Sequence, residues 1–474
     1  MCRNQSNCLI GLVSRGAEHS IETTQNPVNS AISSSAAVPV PLDYQNHRLG
    51  RASVPLIKVA AHSNSSDGPY QGIVPLNPGG PGGSGISEAV ENGSTIQAVL
   101  GTNWDVVGFD PRGMWLSEPV ANCSANTVPH QNITFRPRSV PRVTDEYFNS
   151  YIEFSKELER VGNVVLDGGV STEGYLADAT SAAVYHLDGI IAAFFIYCHE
   201  AGPSNCSYYT GSTPKGIYER FNRSFVQLDP RKAEAENWSN ATDLESALLT
   251  LKVALLSAAD ALLSFFGLLP ELFLGLETAV ASQDIRPWTE QVQKILAVGD
   301  PGPISWQNPE WNLGVLCSDQ GNKWYNKTLQ DWRPPLKELE DESIIGEVWS
   351  RSALGCSGWS IKSNDIFTGP FGGDTATPIL FVSNTYDPVT PIENSFSSAP
   401  NYKDAQVPTV DGMGHTSSSS YNLCGFAKVR AYFQTNQLPG NDSFCPLEAG
   451  PFNIILNGTL KASIERAGLS DLVH

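Results

Sequence analysis

Five short apolar runs punctuate the chain: "GIVPLNPGG" from Gly72, "NWDVVGFDPRG" from Asn103, "VGNVVLDGG" from Val161, "TPILFVSNTYD" from Thr377 and "AQVPTVDGMGH" from Ala405. Each is rich in β-branched residues and ends at or beside a glycine or aspartate. Continuous apolar runs of this length predict parallel strands buried on both faces, with functional loops at their C-terminal ends. Between the third and fourth runs the chain is mostly helical in pattern, most clearly in "DLESALLTLKVALLSAADALLSFFGLLPELFLGLETAVASQ", Asp243 to Gln283. The expected fold is therefore α/β: one mostly parallel sheet with a helical cap inserted over its C-terminal edge. The expected divisions are a loosely ordered tail (1–37), the first part of the sheet domain (38–170), the cap (171–355) and the rest of the sheet domain (356–474). Within the helical block, Val253 to Leu269 approaches membrane-spanning length. Asp260 in its middle and Pro270 after it favour a buried helix over a membrane span.

Composition narrows the setting. The chain has 474 residues, 41% apolar and 17% charged, enough to bury a large core. A net charge of −19 argues against a nucleic-acid partner, which rewards a basic surface. Sequons for N-glycosylation begin at Asn4, Asn64, Asn92, Asn122, Asn132, Asn205, Asn222, Asn237, Asn240, Asn326, Asn441 and Asn457. Chance would give roughly four or five, so an exported, glycosylated protein is expected. Nine cysteines agree with an oxidising compartment. The opening "MCRNQSNCLIGLVSRGAEHS" has too short an apolar stretch for a convincing signal peptide.

Two features carry chemistry. "NPGGPGGSG" (Asn77–Gly85) follows a strand, and its exposed backbone N–H groups suit an anion such as the oxyanion of a tetrahedral intermediate. Asp387 in "YDPVTP" lies just past one strand, and His415 in "VDGMGHTSSSS" lies past the next. Neighbouring strand ends let such a carboxylate fix the imidazole tautomer and stabilise the imidazolium. No metal or cofactor is called for.

"VPLDY", "NPGGPGGSG", "DVVGFDPRG", "RVGNVVLDG", "YDPVTP" and "GMGH…C…VRAYF…LP", in that order, resemble the α/β-hydrolase serine exopeptidases of the tripeptidyl aminopeptidase and proline iminopeptidase type, in their secreted form. The resemblance runs from about Val38 to Leu447. It implies Asp387 and His415 as two members of a catalytic triad, backbone at Gly79 and Gly80 as the oxyanion hole, and a peptide as substrate. Met114, Trp115 and Leu116 stand where the family usually has small residues. The family's nucleophile sits in a G-x-S-x-G elbow, and this sequence contains no such motif; "GGSGI" at Ser84 and "GCSGW" at Ser357 fail at the last position. The 47 residues between Gly113 and Val161 hold a sequon-bearing loop and one amphipathic helix near 145–160, with no strand and elbow. The central nucleophile strand is thus expected to be missing. Spacing suggests Cys198 with Cys206 and Cys424 with Cys445, and the resemblance suggests Cys317 with Cys356. Cys2 and Cys8 lie together in the tail, and Cys123 is left beside the gap.

Three readings remain open at this point. The sequence is an incomplete version of an active secreted exopeptidase, or a catalytically dead protein that binds peptides or another partner, or an enzyme that has recruited another serine. The substrate's residue preference depends on cap geometry and is not legible.

Overall fold

The computed structural model describes residues 32–44, 46–119, 162–177, 184–232, 240–298, 309–363, 366–367 and 369–473. All five apolar runs are strands. With two earlier strands and a short last one they are β1 (Ile32–Pro41), β2 (Arg51–Val59), β3 (Gly72–Leu76), β4 (Trp104–Phe109), β5 (Val165–Asp167), β6 (Leu380–Tyr386), β7 (Thr409–Met413) and β8 (Phe444–Cys445). They do not join into the single sheet expected. They form two four-stranded sheets, ordered β1-β2-β4-β3 and β5-β6-β7-β8. In the first, β3 runs parallel to β4 while β1 and β2 pair antiparallel; the second is wholly parallel. Among the described residues no strand joins β3 to β5. β1 also corrects the expected tail, because the chain enters the sheet at Ile32, paired antiparallel along β2.

Two helices, α1 (Gly85–Glu91) and α2 (Gly93–Leu100), follow β3. Gly85 and Gly108 are required where α1 crosses β4: a Cβ on Gly85 would sit 2.4 Å from the Phe109 carbonyl oxygen, and one on Gly108 2.0 Å from the Gly85 oxygen. Between β5 and β6 every described helix-or-strand element is helical. The helices are α3 (Thr172–Ala177), α4 (Leu187–Ala201), α5 (Pro214–Phe225), α6 (Ala241–Asp260), α7 (Leu262–Phe265), α8 (Leu269–Ser282), α9 (Arg286–Val298), α10 (Pro309–Asp319), α11 (Leu329–Glu342) and α12 (Ser350–Gly355). The run expected as one buried helix is broken at Ala261 between α6 and α7. Among the described residues no helix is long and apolar enough to cross a membrane. Around α4, apolar on every side, Phe194, Phe195, Phe221 and Phe273 make edge-on and tilted ring contacts that fill the largest core. The remaining helices are α13 (Ile392–Ser398), α14 (Leu423–Thr435) and α15 (Leu460–Ala467).

Helix α14 holds the two sheets to a common core, in which Val74, Leu76 and Val106 of the first sheet cluster with Leu380, Val382 and Val410 of the second. Tyr432 accepts at its hydroxyl from Val164 N (3.1 Å) and donates to Pro378 O (2.6 Å) beside the second sheet. From the same helix, Gln434 Nε2 donates to Leu100 O (2.8 Å) and Arg430 pairs with Asp67 beside the first. Disulfides join Cys198–Cys206, Cys317–Cys356 and Cys424–Cys445. Cys2, Cys8, Cys123 and the helix expected near 145–160 lie outside the described residues.

Candidate active site

Strand β6 delivers Asp387 and strand β7 delivers His415, and the two side chains meet. Asp387 is fully buried. Its Oδ1 accepts from Val389 N (2.9 Å) and Thr390 N (2.7 Å), and its Oδ2 from Thr390 Oγ1 (2.9 Å) and Thr416 N (3.0 Å). His415 Nδ1 lies 3.2 Å from Oδ2 and 3.3 Å from Oδ1. Burial alone would raise the carboxyl pKa; the imidazolium and these donors outweigh it and hold Asp387 below the usual carboxylate range. For His415, burial alone would lower the pKa, and the Asp387 charge and hydrogen bond, helped by Asp260 and Asp167, push it up to about 9. The pairing with Asp387 thus favours the protonated ring. Its side chain is 30% exposed, and Nε2, the nitrogen a serine would face, bonds to no described residue.

Three neighbours were not legible beforehand. Thr390 lies 3.2 Å from His415 Nδ1 as well as bonding Asp387; its place three residues after an aspartate is a local turn signal that could have revealed it. Asp167, at the end of β5, accepts from Ser417 N (2.7 Å) and Ser417 Oγ (2.6 Å) and so ties β5 to the histidine loop; burial raises its pKa against those bonds. From the helical block, Asp260 O accepts from His415 N at 2.9 Å.

The glycine turn lies at the end of β3, with Gly79 at φ +82°, Gly80 at +115° and Gly82 at +105°. Gly79 N donates to Asn77 Oδ1 at 3.1 Å, so of the two expected oxyanion donors only Gly80 N lacks a partner among the described residues. Helix α10 braces the turn through Asn312 Nδ2, which donates to Pro81 O at 3.0 Å. Trp115, with φ +51°, donates from Nε1 to Gly82 O at 2.9 Å and packs on Trp311 with ring centroids 4.7 Å apart. The bulky residue at 115 is thus part of the turn's support.

The serines that could stand in for a nucleophile are engaged elsewhere. Ser84 Oγ donates to Asp110 Oδ1 at 2.6 Å and caps α1. Ser357 Oγ accepts from Trp332 Nε1 at 2.8 Å. In the histidine loop, Ser418 shares a hydrogen bond with Thr416, while Ser419 and Ser420 donate to Met413 O.

Comparison with known proteins adds to this geometry. Residues 342–445, which contain both Asp387 and His415, match the α/β-hydrolase family model described as TAP-like protein. The chain is 23% identical over 427 residues to the putative hydrolase YuaR of Escherichia coli K12, covering 81% of this chain and 82% of that protein. Over 87 residues it is 37% identical to the serine protease Hip1 of Mycobacterium tuberculosis H37Rv, covering 18% of this chain and 16% of that one. Over 86 residues it is 36% identical to the tripeptidyl aminopeptidase of Streptomyces lividans, covering 18% and 16%. Over residues 342–445 the chain is similar to the TAP-like α/β-hydrolases.

Proposed function

We propose that the chain carries the scaffold and two of the three catalytic groups of a secreted serine exopeptidase, and that the sequence as it stands lacks the nucleophile and does not turn over peptides. One observation carries this reading: the sheet is interrupted between β3, which ends in the glycine turn, and β5, which ends against the histidine loop. A strand in that interval would deliver its following turn between the candidate oxyanion backbone and His415 Nε2. The absence of any G-x-S-x-G agrees with this. So does the alignment to the E. coli hydrolase: its 427 positions draw on 81% of this chain, leaving about forty with no residue of this chain opposite. In that reading the helices between β5 and β6 form the cap, with Asp387 orienting His415 as general base. Export is supported by the three disulfides and by the sequons, since Asn64, Asn92, Asn205, Asn240, Asn326, Asn441 and Asn457 are all exposed.

A fluorophosphonate probe tests the reading directly, because it labels only an activated serine. The chain as written should not label. The same chain with a strand–elbow–helix block restored before Val161 should label and should release amino acids or short peptides from peptide N-termini in preference to cleaving simple esters. Labelling of the unaltered chain, mapped to a serine already present, would sink the proposal. Reading the coding DNA around codons 158 to 162 separates an incomplete sequence from a catalytically dead binding protein, since only the first has a frame encoding G-x-S-x-G there.

A further inference from the structure

His415 sits between two residues with unusual backbone. Gly414 has φ +91°, and Thr416 has φ +66° and ψ 164°. The second combination is one that essentially only glycine adopts, and a β-branched residue there is strained. Such a conformation persists only where its surroundings over-determine it. Here Asp387 Oδ2 accepts from Thr416 N, while on the other side of the same residue Thr416 O accepts from Asn384 and from Ser419.

Asn384 lies in β6, three residues before Asp387, and is completely buried. Its Nδ2 donates to Gly414 O at 3.0 Å, to Thr416 O at 2.6 Å and to Ser419 Oγ at 3.1 Å. The first two partners are carbonyl oxygens, which only accept, so the amide nitrogen must face them. That leaves Oδ1 buried with no hydrogen-bond partner. Gly412 fits this arrangement, since a Cβ there would lie 2.8 Å from Asn384 Oδ1. A buried amide that leaves its own oxygen unsatisfied in order to tie the carbonyls on both sides of a histidine calls for an explanation beyond packing.

We infer that Asn384 is the positioning residue of the histidine loop: its carboxamide clamps the Gly414 and Thr416 carbonyls and so holds the strained backbone that presents His415 Nδ1 to Asp387. The inference rests on the proposed role of His415, but its test reads the geometry of the imidazole and not turnover. Failure of the clamp and failure of the peptidase reading are therefore separable.

The test uses the full chain with isotope-labelled histidine. The low-field proton resonance of a carboxylate-bonded Nδ1–H is assigned to His415 by its loss in His415→Asn. The unsubstituted chain should show this resonance, and folded Asn384→Ala should lose it, while Leu255→Ala, a destabilising change in the helical core, should keep it. Adding Thr416→Gly to Asn384→Ala should restore the resonance, because glycine adopts the Thr416 conformation without strain. Persistence of the resonance in Asn384→Ala overturns the inference. If Asn384→Ala does not fold, the double variant decides: a folded protein with the resonance supports the clamp. A double variant that lacks the resonance or fails to fold shows that Asn384 serves the core at large, and the inference falls.

Discussion

Replacing Asp387 by Asn keeps the shape of the side chain and removes its charge, which makes it the sharpest probe of the Asp387–His415 pair. Two effects separate by their pH dependence. The pH-independent one comes from hydrogen bonding. The native carboxylate accepts from two backbone N–H groups at Oδ1, and from a hydroxyl, a third N–H and the imidazole at Oδ2. An asparagine with its oxygen at the Oδ1 site keeps the first two and turns an NH₂ toward Thr416 N and His415 Nδ1, donors facing donors, at a cost of about 2–3 kcal/mol. The second effect is linkage. Folding raises the His415 pKa from 6.5 to about 9. Between those values the native state holds a proton that the unfolded chain has released, so stability from this group is fully present below about 6.5 and is lost as pH rises through about 9. At about 1.4 kcal/mol per pKa unit the ceiling is about 3 kcal/mol. With the ring 30% exposed, solvent screening leaves roughly half of it. Urea unfolding followed by tryptophan fluorescence from pH 5.5 to 9.5, on both proteins, gives the difference curve, in which all other histidines cancel. The native protein should lead Asp387→Asn by roughly 4 kcal/mol near pH 6, and the lead should shrink by about 1.5 kcal/mol by pH 9.5. A lead that stays flat across this range would refute the claim that Asp387 keeps His415 charged.

Other outcomes follow from the packing. Phe273→Ala removes a ring 1% exposed that contacts Phe194, Phe221 and Tyr208, and should cost about 3–5 kcal/mol in the same unfolding assay. Gly108→Ala should give little soluble protein on expression, because its Cβ would lie 2.0 Å from the Gly85 carbonyl oxygen, backbone that cannot move aside cheaply. Replacing Cys317 and Cys356 together by Ala opens a link of sequence separation 39 and should cost roughly 4 kcal/mol by loop closure, read as a lower urea midpoint under oxidising conditions. Protein from its native host should lose mass on enzymatic deglycosylation, and a host product of unglycosylated mass would count against export.

The strands were legible because each is a compact β-branched run, and Asp387 and His415 were legible because each stands just past one. β1 was not. "ISSSAAVPVP" is polar and proline-bearing, reads as tail, and becomes a strand only by pairing with β2. The break in the long apolar helix was equally hidden, since "AADALLSFF" is uniformly tolerant of helix. It ends because a tertiary partner captures its terminus: Asp260 O, one of the carbonyls a helix end leaves free, accepts from His415 N. Thr390 carried a local signal, three residues after Asp387, whereas Asn384 acts through hydrogen bonds whose partners lie on the histidine loop, and no spacing rule places that loop.

The want of a central strand was legible in the missing elbow, but the division into two sheets was not, because adjacency of β3 and β5 is decided by what lies between them and not by either strand's own pattern. The fold survives the division because its two halves are held from outside the interval. Tyr432 anchors α14 to Val164 and Pro378 beside the second sheet, Gln434 and Arg430 anchor it to Leu100 and Asp67 beside the first, and Trp104 meets Phe433 edge-on at 5.6 Å. None of these contacts involves a residue between Gly113 and Val161. The glycine turn is likewise braced by α10 and Trp115, and the histidine loop by Asn384, Asp387 and Asp167. Each candidate catalytic element is therefore positioned by contacts independent of a central strand. Under the proposed reading, a restored strand and elbow should meet both loops already in place, so recovery of probe labelling should need only that block and no compensating change elsewhere.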